Sequence, residues 1–85
     1  MPKFIQAVES ANLGYLKLFL FQVADEFLYV YFDSKRSRMV HGETRFMSLE
    51  DARSAVDSDA RYYMGSYRRD GVPETALEWK TEAEP

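Results

Sequence analysis

The chain of 85 residues contains no cysteine. Disulfide staples, thiol nucleophiles and thiolate metal sites are excluded, and the composition suits a reducing compartment. Histidine is nearly absent as well, His41 being the only one. A long apolar run is also missing. The longest, Leu16 to Ala24, is interrupted by Lys17 and Gln22, and it falls far short of the roughly 20 residues a membrane helix requires. No apolar signal segment follows Met1-Pro2-Lys3, so a soluble cytoplasmic protein with no membrane partner is expected. Neither sign of charge dominates: 14 acids against 11 bases leave −3, which supplies no global positive field for nucleic acid. The four glycines, at 14, 42, 65 and 71, are scattered and form no phosphate loop.

What is present is apolar and aromatic. Hydrophobic residues make up 46% of the chain, with six Phe, six Tyr and one Trp. That is enough for one core in a chain too short for two, so residues 1–81 are read as a single domain and 82–85 as a frayed acidic tail. Lys3 to Val8 reads as a short first strand, and Asn12 to Gly14 as a turn. Residues 15–23 and 26–33, rich in Phe, Tyr, Leu and Val and joined at Ala24-Asp25, read as an antiparallel hairpin. A helix over 15–32 is the competing reading, because Leu is a good helix former. After the polar Ser34 to Arg38, residues 38–46 read as a third strand, bulged at Gly42.

Ser48-Leu49-Glu50-Asp51 is a helix start, a capping Ser followed by acids that face the positive end of the helix dipole. Leu49, Ala52, Val56, Tyr63 and Tyr67 fall near one stripe, with Glu50, Arg53, Asp57 and Arg61 on wetter sides. Asp57-Ser58-Asp59 resembles a second cap, so a kink or restart is expected there, and Gly71 with Pro73 ends the helical region. Leu77 and Trp79, alternating with Glu78 and Lys80, suggest a last extended segment pinned by the indole. The fold class expected is α+β: a small antiparallel sheet of three to four strands with one or two C-terminal helices packed on one face.

Residues 15–32, "YLKLFLFQVADEFLYVYF", have no polar side. A strand with one wet face alternates apolar with polar, whereas here both alternating sets are apolar. The aliphatic set, Leu16, Leu18, Leu20, Leu28 and Val30, is expected under the helix. The aromatic set, Tyr15, Phe19, Phe21, Tyr29 and Tyr31 together with Lys17, is then left for the other face. Three covers compete for it. The helical region or Trp79 with the tail can fold over it; another protein, or a second copy of this chain, can dock on it, since contiguous apolar patches mark partner sites; or bases can stack on it, although no basic surround accompanies the rings.

Residues able to do chemistry do not converge in the sequence. His41 has one carboxylate nearby, Glu43, where a triad or metal site needs three or more groups. Asp51, Asp57 and Asp59 read as capping and solvent residues, and "YRRDG" from Tyr67 as a basic helix end. The chain is expected to be no enzyme, with no catalytic residue, metal or cofactor.

Lys3-Phe4-Ile5, Ser10-Ala11, Leu13, Tyr15 and the aromatic Phe21, followed by a hairpin, a third strand and the helix start in "FMSLEDARSAV", resemble a family of small anti-CRISPR proteins that phages use against type I-F CRISPR systems. The likeness is most specific over the first 20 residues and is one of pattern over 26–56. It implies a small antiparallel sheet with two helices on one side. It also implies a protein that works in the host-cell cytoplasm by binding backbone subunits of the RNA-guided surveillance complex, which blocks target DNA. Family contacts include sheet aromatics and an acid. Phe21 stands at one such aromatic and Asp33 close to the acid, while Ala7 replaces another aromatic. The expected partner-binding set is Phe21, Tyr29, Tyr31, Asp33, Tyr15 and Phe19. The alternative function is a homo-oligomeric structural or interaction module.

Overall fold

The computed structural model describes residues 6–82 and shows a five-stranded antiparallel sheet with one helix packed on it. The strands are β1 (Gln6–Leu13), β2 (Leu16–Val23), β3 (Glu26–Asp33), β4 (Arg38–His41) and β5 (Lys80–Thr81), in the order β4-β3-β2-β1-β5. The helix, α1, spans Leu49–Gly65. The α+β class is as the sequence implies, with five strands in place of three or four and, among the described residues, one helix.

Two tight turns build the sheet. Gly14 opens the Gly14-Tyr15 loop at φ 57, and Ala24 opens the Ala24-Asp25 loop at φ 58. Positive φ at the first position of a two-residue loop matches the twist of the strands it joins. β1 runs further than expected, through Asn12 and Leu13 to that turn, and Lys3 to Ile5 of the anticipated strand lie outside the described residues. β4 stops at His41; the Gly42 amide still donates to the Tyr29 carbonyl at 2.9 Å, and after Gly42 the backbone turns away until Phe46 and Phe27 exchange amide hydrogen bonds of 2.7 and 2.8 Å.

Ser48 caps α1, its Oγ accepting from the Asp51 amide at 3.0 Å. Ala52, Val56, Ala60 and Met64, spaced by four, form the buried stripe, and the two small residues let the helix approach the sheet closely. The expected break at Asp57–Asp59 does not occur. Those acids are engaged otherwise than in capping: Asp57 pairs with Arg61 one turn on along the helix, and Asp59 accepts from Tyr29 and Tyr31 on the sheet. The helix ends at Ser66, whose amide bonds back to Tyr62 and Tyr63, well before Gly71. Arg61 then straps the returning chain, donating to the Pro73 carbonyl at 2.6 Å and the Thr75 carbonyl at 2.7 Å. Leu77 and Trp79 pack against the core, β5 pairs with β1, and the Glu82 amide donates to Val8. Residues 83–85 of the anticipated tail lie outside the described residues.

Candidate functional site

Pairing across the hairpin decides which residues can form a surface. With a two-residue loop, Val23 pairs with Glu26, and the register runs through Phe21↔Leu28, Leu20↔Tyr29, Phe19↔Val30, Leu18↔Tyr31, Lys17↔Phe32 and Leu16↔Asp33. Directly paired residues share a face. Hence Leu16, Leu18 and Leu20 keep company with Tyr29, Tyr31 and Asp33, while Phe19, Phe21 and Lys17 keep company with Leu28, Val30 and Phe32.

This corrects the expected division in β3. Leu16, Leu18 and Leu20 do lie under the helix, fully buried, but Leu28 and Val30 do not join them. Tyr29 (9% exposed) and Tyr31 (2%) are core residues, and Asp33 is fully buried at 0%. The physical reason is parity. A two-residue loop sets even positions of β2 beside odd positions of β3, so an aliphatic face and an aromatic face cannot form from these strands. Tyr15, in the turn, packs at the rim of the core rather than on the opposite face.

The buried polar groups are engaged with one another. Asp33 accepts from Tyr63 Oη at 2.7 Å, from Arg36 Nη1 at 3.0 Å and from the amides of Lys35 and Arg36 at 2.9 and 3.1 Å. Burial alone raises its pKa, but the hydrogen bonds from Tyr63 and Arg36 outweigh it and hold the carboxyl below its ordinary value of 3.8. Arg36 also reaches Asp70 at 2.7 Å and stacks on the Tyr67 ring at 3.5 Å. Asp70 further accepts from Lys35 at 2.6 Å and Tyr15 at 2.5 Å, and these donors, Lys35 foremost, pull its carboxyl well below the usual range. On the helix, Asp59 accepts from Tyr29 at 2.9 Å and Tyr31 at 3.3 Å. Burial, aided by Asp59, pushes the Tyr29 hydroxyl up to about 12 and Tyr31 further. Buried Glu9 takes a forked pair from Arg53. Every buried polar side-chain atom among the described residues has a hydrogen-bond partner, from a side chain or from the backbone. The clusters tie loop to loop and helix to sheet, so they have a sufficient structural role.

The opposite face is different in kind. Its middle row across the sheet is His41, Val30, Phe19, Ser10 and Lys80. On one side lies the row Met39, Phe32, Lys17 and Asn12, and on the other Leu28, Phe21 and Ala7. Phe19, Phe21, Leu28, Val30 and Phe32 therefore form one apolar field on the two central strands. Phe19 and Phe21 sit tilted together at 6.4 Å, and Met39 is 49% exposed at the rim. The field residues are half-buried, shielded by one another on the pleated surface. Among the described residues the hydrophobic groups that supplement the core, including Phe27, Phe46, Leu77 and Trp79, all pack on the helix side. Trp79 thus packs with the core rather than over this face. Beside the field, Ser10, Asn12, Lys17, Phe19, Lys80 and Glu82 line a shallow recess of about 260 Å³.

Of the six residues expected to bind a partner, Phe19 and Phe21 are on this open face, and Tyr15, Tyr29, Tyr31 and Asp33 are not. Leu28, Val30 and Phe32 belong there although the sequence reading placed Leu28 and Val30 in the core; the two-residue loop was the signal that reveals them. His41 is on the open face, and among the described residues no three His, Asp or Glu side chains gather as metal ligands. Comparison with protein-family models, with curated proteins and with solved structures finds no significant match to this chain.

Proposed function

We propose that this chain is a non-catalytic protein-binding domain that works through the open face of its sheet. The observation that carries the reading is the field of Phe19, Phe21, Leu28, Val30 and Phe32, contiguous, apolar and uncovered among the described residues. Large apolar patches on small proteins mark partner sites, and aromatic residues are the usual anchors of interfaces. The titratable groups that sit together are committed to internal hydrogen bonds, which favours binding over catalysis.

For the partner, we propose a backbone subunit of a type I-F CRISPR surveillance complex, with target DNA blocked as the consequence. The resemblance of residues 3–21 to the anti-CRISPR family supports this target, and Phe21, the contact aromatic of that resemblance, is on the open face. Two features differ from what the resemblance implies: one helix rather than two among the described residues, and a buried Asp33 in place of a contact acid. The test is a target-DNA binding assay on a purified type I-F complex. A stoichiometric amount of this protein should abolish DNA binding, and Phe21→Ala should weaken its action about thirtyfold, the effect of losing an anchor of about 2 kcal/mol. Undiminished DNA binding in a large excess of protein would refute the target.

A further inference from the structure

We infer that, in the free protein, the open sheet face is occupied by a second copy of this chain, forming a two-fold sheet-on-sheet dimer. The inference rests on the same face as the function proposed above but not on the identity of its target.

The first argument is size. β1, β2 and β3 are each eight residues long, and β4 adds a shorter edge. At about 3.3 Å per residue and about 4.8 Å between strands, the face outlines roughly 500 Å² on each copy, on the order of 1,000 Å² for a pair, which reaches the lower range of specific interfaces. The second argument is self-complementarity. A two-fold axis running along the strands between β2 and β3 exchanges those two strands. Phe19 then meets the second copy's Val30, Phe21 meets its Leu28, and the stem of Lys17 lies over its Phe32. Asn12 on β1 comes opposite Met39 on β4, and Ser10 opposite His41. In the Phe19 and Phe21 rows of the two central strands apolar groups meet apolar groups, the end row sets Lys17 and Asn12 against Phe32 and Met39, and neither Lys17 nor Lys80 faces its own symmetry mate. Aligned sheets pack about 10 Å apart with their inner side chains interleaved, as this arrangement requires.

Sedimentation equilibrium tests the state directly. The protein should half-dissociate on the order of 10 μM, in keeping with a small interface. Phe19→Glu and Val30→Glu should each weaken association at least about 100-fold by placing a charge at the centre of the patch, while far-UV circular dichroism stays that of the parent. A monomer mass at roughly 300 μM, about thirty times that constant, would overturn the proposal, since mass action would then leave most chains paired. The absence of cysteine permits a second experiment that needs no disruptive change. Asn12→Cys and Met39→Cys chains, mixed and treated with a short bis-maleimide, should cross-link to a dimer, whereas either alone should not. Cross-linking in neither the mixture nor the single variants, or equally in all, would overturn this packing. A monomer here leaves the DNA-binding assay to decide the function by itself.

Discussion

Gly42 lies against the Tyr29 ring, where a Cβ would come within 2.6 Å of the ring's Cε1. The close approach is how the chain leaves β4 without opening the core, and the bulge expected at this glycine is in fact a strand end. Gly42→Ala should cost about 2 kcal/mol through overpacking, read as a shift in denaturant midpoint at unchanged slope. Ala24 shows the opposite case. It holds φ 58 with a side chain that disfavours the left-handed region, so Ala24→Gly should raise stability by about 0.5–1 kcal/mol in the same measurement. Asp33 is the residue on which most donors converge. Its replacement by Asn should cost about 2 kcal/mol or more, because Arg36 and Tyr63 lose a charged acceptor inside the fold. A surface contact acid would cost almost nothing in stability, so this value separates the two roles of Asp33.

At the scale of elements, the hairpin shows both what the sequence reveals and where reading it stops short. Residues 15–23 and 26–33 are legible as strands from their aromatic and branched content, and the loop at Ala24-Asp25 from its place between them. The same loop determines the face of every residue that follows it, and sorting by chemical similarity rather than by register assigns β3 upside down. The capping Ser48 marks the helix start because capping is a local interaction. Its continuity through Asp57–Asp59 is not legible, since a cap-like cluster hides both the Asp57–Arg61 pair one turn on and the service of Asp59 to Tyr29 and Tyr31 on another element. Likewise nothing local reveals that Arg53 serves Glu9 or that Tyr67 becomes a platform for Arg36 beyond the helix end. Asp59→Ala should therefore leave the helix intact by circular dichroism yet lower stability by about 1–3 kcal/mol, because two buried phenols lose their acceptor.

The whole molecule has a pH window set by these groups. Asp33 and Asp70 have folded-state pKa values below the ordinary 3.8, so their contribution is complete above that value and is lost as pH falls through the lower folded-state values. Tyr29 and Tyr31 have values raised above 10.0, Tyr29 to about 12, so their contribution is complete below pH 10 and is lost as pH rises through about 12. Stability should thus be broad between these limits, and the ultraviolet titration of phenolate should show a late component that Tyr29→Phe removes in part. Inside that window the sheet has two apolar faces, one packed under the helix and one left open among the described residues, to which the proposed binding is assigned. Comparative denaturant unfolding of Tyr31→Ala and Phe21→Ala, at concentrations low enough to keep the chain monomeric, tests that division most directly. Tyr31→Ala should cost about 3–5 kcal/mol, the range for truncating a buried aromatic, and Phe21→Ala about 1 kcal/mol, that of a half-buried cross-strand pair. A larger loss for Phe21→Ala than for Tyr31→Ala would mean that the Phe21 face is the core, and would contradict the binding surface proposed here.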